Sequence, residues 1–173
     1  MIISVEELKK YITTDKENQE LEAMLQALEL SIRAYTNNDF LRRGIRSYGT
    51  FEDGFLYCDT SKLKDGDTVQ ISQSVLNEGL LVVQGMNEDG FPVEGSLDEF
   101  EVLVTKVEYP ADVKQGVVNL IKWELKNRPK VGIQSESLSR KSVTYFNMDG
   151  NNSLLGYPKS LLGFLRHYKK PRF

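Results

Sequence analysis

The chain has one histidine and one cysteine, so the search for reactive side chains is short. His167 sits between Arg166 and Tyr168, with Lys169 close behind. A histidine acting as general base needs a carboxylate to orient it, and none is near it in the sequence. A surface or interface histidine is the expectation. Cys58 follows Leu56-Tyr57 and precedes Asp59. A nucleophilic thiolate wants positive neighbours, so this residue reads as a small buried hydrophobe. The acidic turns Glu52-Asp53 and Asp65-Gly66-Asp67 place carboxylates close together. They lack the alternate-residue spacing and closing bidentate Glu of a calcium loop, and read as hairpin turns. No G-x-G-x-x-G occurs, nor a glycine loop ending in Lys-Ser/Thr. No enzyme activity, cofactor or metal is expected.

Nucleic-acid binding has a stronger compositional case. From Arg128 onward the chain carries Lys130, Arg140, Lys141, Lys159, Arg166, Lys169, Lys170 and Arg172, interleaved with Tyr145, Phe146, Tyr157, Phe164 and Tyr168. Basic groups can track phosphates while aromatic rings stack on bases. No RNP-like or helix-turn-helix pattern accompanies them. The total of 22 basic and 25 acidic side chains leaves a net charge of −3, which disfavours a polyanion wrapper. That total hides a polarity: residues 1–110 hold 10 basic and 21 acidic groups, and residues 111–173 hold 12 basic and 4 acidic. Solvated faces that drifted in composition would give such a split. So would head-to-tail association of copies, acidic side against basic side.

The elements that must position these groups follow from periodicity. At 173 residues with 40% hydrophobic side chains, one domain, or a core with one inserted module, is expected. A single cysteine rules out an internal disulfide framework and fits a reducing compartment. The N-terminus has no basic region followed by an apolar run, so no secretory signal is read. No run of about 18 apolar residues is present, so no membrane span is expected.

Ser4-Val5-Glu6-Glu7 has capping-box spacing, and a helix is predicted over about 4–12. Thr14-Asp15-Lys16-Glu17 repeats the start signal. Leu21, Leu25, Leu28, Ile32 and Tyr35 then mark an amphipathic helix over about 15–37, ending at Asn37-Asn38. Between about 46 and 109, turn signals alternate with short β-prone runs, the pattern of a small antiparallel sheet or barrel. Phe100, Val102 and Val104 fall on one face of its last strand by simple alternation. Val113, Val117, Leu120, Ile121 and Leu125, with Val118 and Trp123, mark a central helix over about 111–127 that stops before Pro129. A loop through Gly132 and Ser135 leads to a strand at Ser142-Val143-Thr144-Tyr145-Phe146, and residues 147–156 read as a mobile turn region. A last helix is expected over about 158–168, with Leu161, Leu162, Leu165 and Tyr168 on one side and a frayed tail. The expected fold is therefore α+β: a small helical bundle of 1–45 and 110–173, with a β-rich insertion at 46–109.

Several stretches together resemble the head-tail connector (adaptor) proteins of long-tailed bacteriophages and prophages, the portal-docking head-completion family. The opening Ile3-Ser4-Val5-Glu6-Glu7-Leu8 looks like that family's N-terminus, and Ala34-Tyr35-Thr36-Asn37-Asn38-Asp39-Phe40 like the end of its second helix. The helix from Val113 to Arg128, the stretch Ser135-Glu136-Ser137-Leu138-Ser139-Arg140-Lys141-Ser142-Val143-Thr144-Tyr145, and the closing run from Tyr157 to Lys170 are similar to later parts of it. Each motif is a packing pattern, and their shared order carries the likeness. The resemblance implies a non-enzymatic virion protein at the head-tail neck, assembled in the bacterial cytoplasm as a homo-oligomeric ring on the portal. It would extend the DNA channel without sequence-specific binding and offer a docking surface to a stopper or tail-completion protein. On this reading Tyr157, Leu161, Leu162, Phe164, Leu165, Arg166, Tyr168, Lys169 and Lys170 are candidate portal or subunit contacts, although packing on the home bundle accounts equally for the apolar ones. Arg140, Lys141, Asn147 and Asp149 are candidate inter-subunit or loop contacts. Another neck or tail-completion protein, or a DNA-binding packaging factor, is the alternative.

Overall fold

The computed structural model describes residues 1–127, 135–138, 141–144 and 152–172. They belong to two compact units, one of residue 1 with 38–109 and one of 2–37 with 110–173.

The first unit is a sheet of six strands: β1 (Leu41–Glu52), β2 (Phe55–Cys58), β3 (Thr68–Ser72), β4 (Gly79–Val82), β5 (Gly90–Pro92) and β6 (Glu99–Val107). Its spatial order is β4-β3-β6-β1-β2-β5, with every neighbouring pair antiparallel. Local chemistry explains the turns. Glu52 pairs with Phe55 across the two-residue loop Asp53-Gly54, whose φ angles are 49° and 75°. Two successive left-handed residues match the twist of a hairpin, and Asp-Gly tolerates them well. Before β5, the Asn87 side-chain oxygen accepts from the amides of Asp89 and Gly90 at 2.9 and 3.0 Å, an Asx turn.

The inner face of this sheet buries Phe51, Leu56, Val69, Ile71, Val83, Phe91, Val102 and Val104 as one core. Gly49 lies inside that face. A Cβ there would stand 2.8 Å from the Tyr57 carbonyl oxygen and 3.0 Å from side-chain atoms of both Leu56 and Val104. Only the absence of a side chain lets β1 approach β2 and β6 this closely.

The β1–β6 ladder is irregular twice. Gly49 pairs with Val102, yet Phe51 pairs with Glu99, so β6 carries one extra residue there. Glu101 absorbs it with a φ of 59°. A bulge of this kind reverses the alternation beyond it. Phe100, which simple alternation puts with Val102 and Val104, is consequently 73% exposed. The second irregularity separates the pairs Leu41–Val107 and Arg46–Thr105, where β1 holds the excess residues.

The second unit contains α1 (Val5–Lys9), α2 (Asn18–Thr36), α3 (Ala111–Asn127), two small hairpins and a 3₁₀ helix (Lys159–Tyr168). The hairpins pair β7 (Ser135–Leu138) with β8 (Lys141–Thr144), and β9 (Ser153–Leu154) with β10 (Tyr157–Pro158). Ser4 caps α1, its hydroxyl accepting from the Glu7 amide at 3.1 Å. Thr14 does not start α2; its hydroxyl accepts from the Lys16 amide, and α2 begins at Asn18. Leu21, Leu25, Leu28 and Ile32 are the buried stripe of α2, which ends on a left-handed Asn37 at φ 50°.

These observations correct the expected fold class. The chain is a curled six-stranded antiparallel sheet, a half-barrel, with few helices, and not a helical bundle carrying a small insertion. The physical reasons are local. Leu41-Arg42-Arg43-Gly44-Ile45, assigned with 1–45 to the helical part, is extended and lengthens β1 to 12 residues. Helix α1 is 5 residues long, and Ile12, Thr13 and Thr14, β-branched residues that are stiff at χ1, lie beyond its end. The last helix winds as 3₁₀, with three residues per turn. Ser135–Leu138, read as loop, is a strand.

Replacing Gly49 with Ala should destabilise the fold by about 1–3 kcal/mol in urea titration, since Cβ would overlap a backbone carbonyl. Gly44→Ala, where nothing lies within 4 Å of the new carbon, should stay within about 0.5 kcal/mol. Equal effects at the two positions would contradict the packing described.

Candidate functional site

The C-terminal segment is built on a three-residue repeat. In a 3₁₀ helix, residues three apart eclipse one another. Leu162, Leu165 and Tyr168 therefore form one row, and Gly163, Arg166 and Lys169 another. The first row packs: Leu162 and Leu165 are buried, and the Tyr168 hydroxyl donates to the Asp112 carboxylate of α3 at 2.8 Å. That bond raises the Tyr168 pKa. The second row is exposed. The tail is tied down, contrary to the frayed end expected. The Lys170 amide donates to the Thr36 carbonyl at 2.8 Å, the Asn37 side-chain amide to the Pro171 carbonyl at 2.7 Å, and the Arg172 guanidinium to the Ala34 carbonyl at 2.8 Å. Two of these satisfy terminal carbonyls of α2 that no intrahelical donor reaches. The Lys169 ammonium stands 3.7 Å from the centroid of the Tyr35 ring.

Among the residues proposed from sequence as partner contacts, Tyr157, Leu162 and Leu165 are thus buried within their own unit. Tyr157 meets Trp123 edge-on at 5.5 Å. Phe164 is half-buried and lies over Gly116 of α3, its ring atoms 2.3–2.5 Å from where a Cβ would stand. Leu161 and Tyr168 are half-buried, while Arg166, Lys169 and Lys170 are exposed. Lys141 opens β8, its backbone paired with Leu138. Its side chain, and Arg140, Asn147 and Asp149 altogether, lie outside the described residues, as does the first half of the 147–156 turn region, residues 147–151. His167 is exposed, its ring 6.0 Å from that of Tyr168.

A second surface was not anticipated. On the outer face of the sheet, Tyr48 is 68% exposed and Tyr57 45% exposed, and Phe100 is turned out with them by the bulge. Tyr48, Thr50, Tyr57, Asp59, Asp89 and Glu101 line a broad, shallow depression there, which also includes Glu88 but no Lys or Arg. Its acidic rim is held in place. The Thr60 hydroxyl donates to the carbonyls of Asn87 and Glu88, both at 3.0 Å, and the Cys58 amide donates to the Asp89 carbonyl at 3.0 Å. The hydroxyl and amide of Ser61 bond the Asp59 carboxylate and keep its pKa below the usual range. The alternation Tyr48-Thr50 against Tyr57 is visible in the sequence, but the reversal at Glu101 that adds Phe100 is not.

The acidic turns serve the backbone. Asp67 pairs with Lys106 at 2.5 Å and accepts from the Lys64 amide, and Asp65 accepts from the Met86 amide. Among the described residues, no group of three or more metal-type ligands converges, and no helix is long and apolar enough to cross a membrane. At one end of the sheet the Glu99 carboxylate gathers the Ser74 hydroxyl at 2.6 Å, the Val75 amide at 2.5 Å, the Leu76 amide at 3.3 Å and the Asn77 side chain at 3.0 Å. These donors, the Ser74 hydroxyl first, hold Glu99 below its ordinary value. No protein-family model and no curated protein matches the chain.

Two predictions follow from these environments. Burial, helped by Asp59, pushes the Cys58 thiol up to about 11. At pH 8 it should react with iodoacetamide on the order of a hundredfold more slowly than an unfolded control, because the thiolate is the reacting species. Alkylation at the rate of the unfolded chain would contradict this. For Glu99, the depressed pKa means that the clamp is complete above the ordinary carboxylate range and is lost as pH falls through the depressed value. The amide resonances of Val75 and Leu76 should titrate together with a midpoint below 4.5, the ordinary value. In Glu99→Ala that titration should vanish; its persistence would show that another group holds the loop.

Proposed function

We propose that this chain is a structural head-tail connector of a long-tailed phage or prophage, acting by assembly and not by catalysis. On this reading copies form a ring on the portal at the virion neck, extend the DNA channel and present a surface to a stopper or tail-completion protein. The observation that carries the reading is the charge of the two units. The sheet unit, residue 1 with 38–109, holds 6 basic and 14 acidic side chains, for −8. The helical unit, 2–37 with 110–173, holds 16 basic and 11 acidic, for +5. Charge segregated by folded unit suits repeated heterologous contact, in which unlike surfaces of successive copies meet until a circle closes. Net acidity also suits a channel that must not grip DNA, because each neutralised phosphate adds salt-sensitive affinity.

The ordered resemblance supplies the partner, and the exposed Arg166, Lys169 and Lys170 lie within the stretch that resembles the family's closing helix. Mixing the chain with purified portal and imaging the product by electron microscopy tests the reading. A collar of density on one portal mouth is expected. Portal particles indistinguishable from the untreated sample would overturn it.

A further inference from the structure

We infer that the outer face of the sheet unit is a docking surface for a second copy of this chain, and that its occupant is the exposed basic row of the C-terminal 3₁₀ helix and tail. This deepens the proposed function and rests on it for the idea that copies repeat the same unlike contact. Three observations carry the assignment. First, the bulge at Glu101 turns Phe100 outward to join Tyr48 and Tyr57, leaving three large aromatic side chains exposed on one unit. Exposed aromatics of this kind are the usual anchors of protein interfaces. Second, the depression around Tyr48 and Tyr57 is rimmed by Asp59, Glu88, Asp89 and Glu101, with no cation in its lining. Aromatic faces beside carboxylates favour Lys and Arg, through cation–π attraction and ion pairing together.

Third, the same chain carries a matching surface. Three-residue winding places Arg166 and Lys169 in one exposed row, and Lys170 is exposed beside it. Leu162 and Leu165 below hold the row rigidly in its own unit. The row is thus a preformed cationic ridge, and its presentation costs little further ordering. Lys169 over Tyr35 is the same pairing of ammonium with tyrosine ring, already made within the chain. Like-charge opposition excludes the reciprocal contacts, acidic face on acidic face and ridge on ridge, so the contact is directional.

The test measures self-association without portal, so it is independent of the portal-mixing experiment. Sedimentation of the full chain at low salt should show concentration-dependent association that weakens as salt rises. Zero-length carbodiimide coupling in a mixture of ¹⁵N-labelled and unlabelled chains should give mixed-isotope cross-links from Glu88, Asp89 or Glu101 to Lys169 or Lys170. The double variant Glu88→Lys/Glu101→Lys should weaken association about tenfold, as should Lys169→Glu/Lys170→Glu. All four changes in one chain should restore it. Phe100→Ser, at an exposed position, should weaken association without altering the thermal midpoint. Salt-independent association, a chain that is monomeric throughout, cross-links confined to other surfaces, or failure of the fourfold variant to recover would each overturn the inference. A portal collar that forms normally despite any of these results would leave the proposed function standing.

Discussion

The antiparallel ladder between β1 and β6 is the pairing on which the first unit depends, because it alone joins the β4-β3 side of the sheet to the β2-β5 side. Its regular stretch, from Arg46–Thr105 through Gly49–Val102, brings Gly49 against Val104 and Leu56 and closes the inner core. Its irregular stretch, one residue further, reverses the alternation and turns Phe100 to the outer face. One strand pair thus settles both what is buried and what is left exposed on the outer face. Losing that extra residue would be costly, since a one-residue slip of the pairing exchanges core and surface side chains on one side of it.

Much of the local structure was legible in the chain. The four- and three-residue steps of Leu21, Leu25, Leu28 and Ile32 mark α2, and the apolar run from Val113 to Leu125 marks α3, because helical periodicity over several turns has few competing explanations. Asp53-Gly54 announces its turn for the same reason: few dipeptides accept two left-handed residues. Architecture was less legible. Arg42, Arg43 and Gly44 carry no clear β signal of their own, and they belong to β1 only because the pairs Leu41–Val107 and Arg46–Thr105 hold the chain to β6 on either side of them. The weight of the fold therefore lies in the sheet, where the sequence pattern points to helices.

The candidate site divides along the same line. The C-terminal run reads as an amphipathic segment, and it is one, but periodicity of 3.6 groups Leu161 with Leu165, whereas three-residue winding groups Leu162, Leu165 and Tyr168. That change of period decides which groups are exposed: Arg166 and Lys169 share a face and several apolar candidates turn inward. The aromatic face of the sheet escaped sequence reading because a bulge leaves almost no trace in composition. Glu101 is not a glycine, and nothing about its type declares a left-handed backbone. Opposed charge, by contrast, was visible from composition, and the division into two units gives it a structural boundary: −8 on one unit and +5 on the other.

The most direct test of this account is the register of β1 against β6, read from cross-strand nuclear Overhauser contacts in the isotopically labelled chain. The account predicts backbone contacts between Gly49 and Val102 and between Phe51 and Glu99, with the Phe100 ring open to solvent relaxation agents. Contacts between Phe51 and Phe100, the partners of an uninterrupted ladder, together with a protected Phe100 ring, would contradict it.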